Sequence, residues 1–224
     1  MPVYKTAELY DLAHTRAAPL LRPTTWPWEA LGSLSDFILE LGPTLPPELF
    51  DHPAEDIWVA KSARVAPTAS LSGPCIIDED AEVRHCAFLR GSILVGKGAV
   101  VGNSTELKNS ILFDKVQVPH FNYIGDSILG YKAHCGAGVI TSNVKSDKTL
   151  VVVKSSDECL ETERKKVGAL VGDFVEVGCN TVLNPGTMVG RNSSIYPLSS
   201  VRGVVPAEHI YKANGAVVPR EQEL

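Results

Sequence analysis

The chain repeats an apolar residue every six positions, and this spacing limits its possible folds more than any other feature of the sequence. Ten such markers follow in succession, and after an interruption a second run keeps the same step. A period of six fits neither an amphipathic helix nor a hairpin sheet, whereas hexapeptide repeats are typical of a parallel β-helix. The first run is Val59, Val65, Leu71, Ile77, Val83, Leu89, Val95, Val101, Leu107 and Phe113, and the second is Val171, Val177, Leu183, Val189, Ile195 and Val201.

A small or β-branched residue usually stands four places after each marker, as at Ala63, Ala81 and Thr105. In a narrow three-sided column, a large side chain on each wall needs a small one near the corner, because protein interiors are close-packed. The sequence therefore predicts an all-β solenoid, a parallel β-helix of about seven coils. The alternative, a β-sandwich, is disfavoured because the closely spaced turn signals of that fold are missing.

The composition is that of a globular protein, since 44% of the 224 residues are hydrophobic. No stretch of eighteen apolar residues occurs, so we expect no membrane span. The net charge of −5 gives no reason to expect nucleic acid as a partner. The N-terminus shows no basic region followed by an apolar segment, which favours a cytoplasmic protein. The five cysteines form no C-x-x-C pair, as is typical of reduced thiols.

Three parts of the chain depart from the repeat. Residues 1–56 contain helical segments broken by prolines, and we expect an N-terminal helical cap over the open first coil. The repeat domain spans residues 57–206 and contains a long polar loop insertion over residues 142–168. Its charges are explained either by solvated surface or by an arm that reaches a neighbouring subunit, and the arm is the more specific hypothesis. Residues 207–224 are predicted to form a C-terminal tail that leaves the column.

A shortened step just before Ile124 marks a disturbed corner where chemically active side chains come together. Arg90 and Lys108 are one coil apart on the same predicted face, and His120 falls on the adjoining face. Two stacked cations repel each other unless an anion lies between them, which predicts a phosphate site. The unperturbed pKa of imidazole, about 6.5, suits His120 to accept a proton from an attacking amine.

Three motifs in succession carry a resemblance to a known family. They are VGN at residues 101–103, HxxYxGD at 120–126 and GAGxITxN at 136–143. In this order and spacing they resemble the acetyltransferase domain of GlmU, a bifunctional enzyme that makes UDP-N-acetylglucosamine, and the similarity covers most of residues 87–205. The resemblance implies a left-handed β-helix, a homotrimer with active sites between subunits, and acetyl-CoA as co-substrate. The sequence contains no counterpart of the uridylyltransferase domain.

The same resemblance implies roles for individual residues. His120 would be the general base that lets the amine of an amino-sugar phosphate attack the thioester of acetyl-CoA. Backbone N–H groups near residues 136–138 would stabilise the oxyanion, and no bound metal is expected. The substrate-binding residues would be Arg90, Lys108, Tyr123, His134 and Lys148, and the cofactor-binding residues would be Gly136, Ala137, Asn143, Cys179, Pro197 and Lys212.

Three functions remain open on the sequence. The leading one is acetyl transfer from acetyl-CoA to the amine of an amino-sugar phosphate or nucleotide sugar. Val144, Tyr196 and Lys212 differ from the family's residues near the coenzyme, which motivates the second, a non-catalytic sugar-nucleotide-binding or scaffold trimer. The third is a metal enzyme like γ-carbonic anhydrase, in which His85 and His134 would join His120 across a subunit interface, although their spacing does not resemble a local zinc pair.

Overall fold

Three β-sheets wind into a three-sided, left-handed column. The computed structural model describes residues 2–221, so Met1 of the predicted cap and residues 222–224 of the predicted tail lie outside the described residues. Seven coils are complete, and two further strands begin an eighth. The predicted parallel β-helix is thus confirmed, and the column is slightly longer than expected.

Each complete coil contributes one strand to each face. Face 1 consists of Phe50–Ala54, Ile57–Ala60, Cys75–Ile77, Ile93–Val95, Ser110–Leu112, Ile128–Leu129, Ala169–Val171, Thr187–Val189 and Val204–Val205. Face 2 consists of Arg64–Val65, Glu82–Val83, Val100–Asn103, Gln117–His120, His134–Cys135, Glu176–Val177, Ser194–Ile195, His209–Tyr211 and Val217–Pro219. Face 3 consists of Ser70–Ser72, Phe88–Arg90, Glu106–Lys108, Tyr123–Gly125, Ile140–Thr141, Val182–Leu183 and Ser200–Val201. Only the end strands Phe50–Ala54 and Val217–Pro219 pair in antiparallel fashion within these faces.

The repeat markers fill the interior of the column. Ile77, Val95 and Leu107 are fully buried, and so are the small corner residues Ala81 and Thr105. The alternation of one large wall residue and one small corner residue therefore packs as the sequence predicts.

The shortened step of the repeat lies at a different corner from the predicted one. The register pairs Val95 with Leu112, seventeen residues further on, so Leu112 rather than Phe113 takes the marker position. The step from Val118 to Ile124 is a regular six. The turn that is one residue shorter is instead the one in which the chain passes from face 3 to face 1.

Most of the N-terminal segment covers one side of the column rather than the open first coil, and only Phe50–Ala54 pairs with the first-coil strand Ile57–Ala60, which corrects the prediction. It lies along face 1, where the central residues of the strands point outward and are nevertheless apolar, as at Ile76, Leu94 and Leu170, all fully buried. Such a face needs a cover, because exposed apolar area is unfavourable in water. The cover contains the α-helices Thr6–Leu9, Ala18–Leu21 and Leu34–Leu41 and the 3₁₀ turns Leu12–His14, Pro27–Gly32 and Gly42–Thr44.

Contacts of this cover extend over most of the column. Near the last coil, the Tyr4 hydroxyl accepts a hydrogen bond of 2.7 Å from the N–H of Ala207. Near the second coil, Arg16 Nε donates to the buried carboxylate of Asp78 at 2.6 Å. One stretch of sequence thus connects both ends of the stack.

The inserted loop at residues 142–168 folds back on its own chain. It contains an antiparallel hairpin of Val152–Lys154 and Cys159–Glu161. Val151 beside this hairpin is fully buried, and a Cβ added to Gly186 of the column would lie 2.7 Å from the carbonyl oxygen of Val152. Part of the loop thus packs on its own column, whereas Val144 and Leu150 remain exposed, and the expected arm toward a neighbour stays a prediction.

The column continues past the predicted boundary at residue 206. His209–Tyr211 pairs in parallel with Ser194–Ile195 before the chain reverses. The hexad pattern does not reach this coil, because the register step from Val189 to Val205 is sixteen residues. Within residues 2–221, no helix combines the length and apolar character needed to cross a membrane.

Candidate functional site

The edge where each coil passes from face 2 to face 3, called the 2–3 edge, carries His120 near its middle. Backbone hydrogen bonds of 2.8 to 3.0 Å connect neighbouring coils along this edge. The residues they place in one row are Asn103, His120, Ala137, Cys179 and Pro197, with donors from Phe121, Gly138, Asn180 and Leu198 of the coil that follows each acceptor. Sequence positions far apart therefore share one line.

His120 is exposed at the end of its strand, and hydrogen bonds through Asn122 fix its backbone. Its N–H donates to the amide oxygen of Asn122 at 3.1 Å, and the amide nitrogen of Asn122 donates to the carbonyl of Gly136 at 2.8 Å. Asn122 is only 2% exposed. The arrangement fixes the backbone at His120 while the imidazole stays accessible to a reactant.

The structure brings most of the predicted cofactor residues to this edge. Gly136 and Ala137 lie in the coil after His120, and Cys179 and Pro197 follow in the next two coils. Lys212 lies next to this row, one residue after Tyr211, which pairs with Ile195. These residues line a continuous strip along one side of the column.

The predicted oxyanion donors need correction. The N–H of Gly136 donates to Val177 at 2.7 Å and the N–H of Gly138 donates to His120 at 3.0 Å, so both serve the pairing of the coils. Within the described part of the chain, the N–H of Ala137 has no recorded backbone or side-chain acceptor. Of the three N–H groups, the one at Ala137 is the donor that remains available to a ligand.

Asn143 is separate from the other cofactor candidates. It lies near the edge between face 3 and face 1, called the 3–1 edge, and its amide nitrogen donates to Asp126 at 2.5 Å and to the Tyr123 hydroxyl at 3.3 Å. The buried Asp126 carboxylate also accepts from Asn109 at 2.9 Å and from Lys108 at 3.0 Å. Asp126 thus organises the polar end of face 3.

Arg90 and Lys108 stand in register one coil apart, as predicted, but each has a counter-ion in the chain itself. Arg90 pairs with Glu106 at 2.7 Å, and this hydrogen bond raises the pKa of the guanidinium. Lys108 pairs with Asp126 at 3.0 Å. The repulsion that predicted a bound anion is therefore relieved without one, and the phosphate role of these two residues stays a prediction carried by the resemblance alone.

Tyr123 lies flat over Gly125. A Cβ on Gly125 would be 2.5 Å from the Tyr123 hydroxyl oxygen, so the glycine of the YxG motif leaves space for the ring. Burial raises the pKa of the Tyr123 hydroxyl above its ordinary value, and the nearby carboxylates act in the same direction. The hydroxyl therefore stays protonated at neutral pH and can donate a hydrogen bond to a sugar.

Two predicted substrate residues lie apart from this group. His134 is on face 2, where its Nδ1 is 2.8 Å from a carboxylate oxygen of Glu176. Lys148 is exposed on a turn of the inserted loop, with a φ of 57°. Within a single subunit, neither contacts His120 or Tyr123. Among residues 2–221, no group of three or more histidine, cysteine, aspartate or glutamate side chains is placed to hold a metal ion.

Sequence reasoning missed three residues of the site: Asn122, Glu106 and Asp126. Asn122 stands four places after Val118, where the other coils have alanine, threonine, valine or serine, and an amide at that corner was a usable signal. Asp126 follows Lys108 by eighteen residues, the regular spacing of one coil, but the coil here has seventeen residues and its register pairs Lys108 with Gly125. The opposite charges suggest the pair, and the geometry of the corner is needed to establish it.

Comparison with known proteins identifies a matching family model and several relatives of this chain. The family model of the GMPPB C-terminal domain matches residues 71–157. A bifunctional protein GlmU of Methanococcus maripaludis is 28% identical over 180 residues, which is 72% of this chain and 44% of that protein. A bifunctional sugar-1-phosphate nucleotidylyltransferase/acetyltransferase of Sulfurisphaera tokodaii is 29% identical over 59% of this chain and 38% of its own length. This chain thus spans less than half of either relative.

Among solved structures, a point mutant of the N-acyltransferase AntD of Bacillus cereus, in complex with dTDP and coenzyme A, superposes with a TM-score of 0.36 at 14% identity. The superposition covers 75% of this chain and 83% of that one. The hexapeptide repeat, the β-helix that it forms and the similarity to GlmU sequences lead to one conclusion. The chain is built of hexapeptide repeats, and its sequence is similar to those of GlmU proteins.

Proposed function

We propose that this protein transfers an acetyl group from acetyl-CoA to the amine of an amino-sugar phosphate or nucleotide sugar, and that it works as a homotrimer with active sites between subunits. The observation that carries the proposal is the pairing on the 2–3 edge of an exposed imidazole, His120, with the unused N–H of Ala137 one coil away. A base and an oxyanion donor at neighbouring positions are what acyl transfer to an amine requires. The GlmU sequence similarity supports the same chemistry.

The reaction assigns one task to each group. The amine nitrogen attacks the thioester carbonyl carbon while His120 takes the proton that the amine loses. The negative charge that develops on the carbonyl oxygen is stabilised by the Ala137 N–H. When the tetrahedral intermediate collapses, the carbon–sulfur bond breaks, and the coenzyme leaves as a thiol after it receives the proton from His120. The products are an acetamido sugar and coenzyme A.

The acceptor would lie across face 3 beside Tyr123. The neutral Tyr123 hydroxyl and the Arg90 guanidinium are two groups on this face that can donate hydrogen bonds to sugar oxygens. The coenzyme would follow the strip from Ala137 to Pro197 and Lys212, where the exposed Leu198 offers apolar surface to its pantetheine arm. In a trimer, a neighbouring column would close the groove over this strip.

The experiment measures acetylated product by chromatography, with glucosamine 1-phosphate and acetyl-CoA as substrates. We expect His120→Ala to lower kcat by roughly 10²- to 10⁴-fold, the usual contribution of general base catalysis. His85→Ala is the matched control, because His85 is exposed on the same edge two coils earlier, and it should keep the wild-type rate. Equal rates for wild type and His120→Ala would overturn the assignment of the base.

Calorimetry distinguishes the enzyme from a scaffold. Binding of the sugar phosphate without any binding of acetyl-CoA would favour the non-catalytic trimer over the transferase. Sedimentation equilibrium tests the assembly, since a protein that stays monomeric at assay concentration while it transfers acetyl groups would contradict the proposed intersubunit site.

A further inference from the structure

The inserted loop and the 3–1 edge line a shallow, open pocket of about 410 Å³. The column contributes Lys108 and Asp126, and the loop contributes residues 163–166, with the sequence Glu-Arg-Lys-Lys. Four cationic side chains therefore line the pocket against two carboxylates. The excess positive charge makes the pocket complementary to an anion.

The charge of this pocket belongs to the loop rather than to the column. Lys108 is already paired with Asp126. In the part of the chain that the structure describes, no carboxylate is recorded within ion-pair distance of Arg164, Lys165 or Lys166. These three side chains are therefore the cations that remain without a counter-ion.

Arg164 gives a second and independent sign of a missing partner. Its Nε is buried and, within residues 2–221, makes no hydrogen bond. A buried donor of a charged group is costly when it stays unpaired, because its hydration is lost and nothing replaces it. An anion in the pocket would offset the charge of the Arg164 guanidinium and of the two lysines that line it.

We propose that Arg164, Lys165 and Lys166 bind the phosphate group of the acceptor in this pocket, so that the inserted loop makes the protein selective for phosphorylated amino sugars. This inference rests on the proposed function, since it names the part of the chain that recognises the acceptor. Phosphate fits the site because guanidinium and ammonium groups donate charge-assisted hydrogen bonds to its oxygens. The loop lies on its own column, so each subunit supplies these cations to its own pocket.

The test is titration calorimetry with glucose 1-phosphate, which carries the phosphate but has no amine to react. The variant Lys165→Ala/Lys166→Ala changes two exposed side chains and leaves the buried part of the loop intact. We expect its Kd to rise roughly tenfold or more, as the loss of charge-assisted hydrogen bonds predicts. The control is Lys154→Ala, an exposed lysine on the hairpin of the same loop, which should bind within about twofold of wild type. An unchanged Kd for the double variant would overturn the inference.

Kinetics with two acceptors separate this inference from the proposed function. Wild type should prefer glucosamine 1-phosphate over glucosamine, and the double variant should lose that preference through a higher KM for the phosphorylated acceptor alone. Equal use of both acceptors by wild type would refute the loop site while acetyl transfer stands. Loop-dependent binding of glucose 1-phosphate in a protein that acetylates no amino sugar would refute the transferase and leave the loop site standing. Arg164→Lys, which keeps the charge, should retain more affinity than Arg164→Gln, and the reverse order would contradict the role of Arg164.

Discussion

The substitution Gly102→Ala, which adds a single methyl group, tests most directly how the coils pack beneath the candidate site. A Cβ added there would lie 1.5 Å from the carbonyl oxygen of Pro119 and 1.9 Å from its carbonyl carbon. Both are backbone atoms of the next coil, so neither can rotate away as a side chain could. The strand that carries His120 would have to move outward, and overpacking of this kind ordinarily costs about 1–3 kcal/mol. Because the clash involves only backbone, we expect Gly102→Ala to lower the free energy of unfolding by about 3 kcal/mol or more.

Gly98 provides the matched control four residues earlier. Its nearest neighbour to an added Cβ is Lys115 Cγ at 3.8 Å, which is ordinary van der Waals contact. The cost of Gly98→Ala comes instead from its φ of 61°, where a residue with a Cβ loses about 1–2 kcal/mol. The two substitutions add the same atom to the same coil, but the cost at Gly98 comes from backbone conformation and the cost at Gly102 from a steric clash.

Thermal unfolding followed by circular dichroism measures the difference. For a chain of this length, 1 kcal/mol corresponds to a shift of about 2–4 °C in Tm. Gly98→Ala should therefore melt roughly 2–8 °C below wild type and Gly102→Ala at least about 6–12 °C below it. A Gly102→Ala protein that melts at or above the Tm of Gly98→Ala would refute the close contact between these two coils.

Three further predictions concern the rest of the fold. Ile38→Ala, which removes a fully buried side chain from the cover of face 1, should cost about 2–5 kcal/mol in denaturant unfolding, whereas truncation of the 38% exposed Leu39 should change stability by less than about 1 kcal/mol. Burial raises the pKa of Cys75 and Cys135 to about 12, so mass spectrometry should find these thiols unlabelled in the native state while the three exposed cysteines react; labelling of all five would contradict the packing. Burial also raises the pKa of Asp173 above 3.8, so the folded state holds this proton more tightly than the unfolded state, and the stabilising contribution is lost as pH rises. The Tm of wild type relative to Asp173→Asn should therefore be higher near pH 4 than near pH 7, and a difference independent of pH would contradict this reasoning.

The sequence predicts the column well because its periodicity follows from how the side chains pack inside the column. Each wall position needs a large apolar residue and each corner a small one, so the coil spacing can be read without knowledge of the loops. The same spacing predicts the register of Arg90 with Lys108. The position of the shortened corner does not follow from it, because Leu112 and Phe113 are both large, apolar and buried, and the pattern cannot say which of them faces inward.

Two other features are hidden from the sequence because they depend on contacts between distant segments. The row of outward apolar residues on face 1, such as Ile76 and Leu94, is visible in the sequence, but a period-six search records only the inward positions. The neutralisation of Arg90 by Glu106 depends on side-chain geometry between neighbouring coils. The prediction of a phosphate between Arg90 and Lys108 therefore treats the repulsion between the two cations correctly but omits the carboxylates that neutralise them.

The cover along face 1 has a consequence for how the molecule melts. In a stack in which each coil contacts only its neighbours, unfolding can begin at either end and proceed from one coil to the next. Here one segment joins the two ends, through Tyr4 at Ala207 and Arg16 at Asp78, so fraying at one end would loosen contacts at the other. We therefore expect the segment to couple the coils, so that the column unfolds in one cooperative transition as a globular domain does.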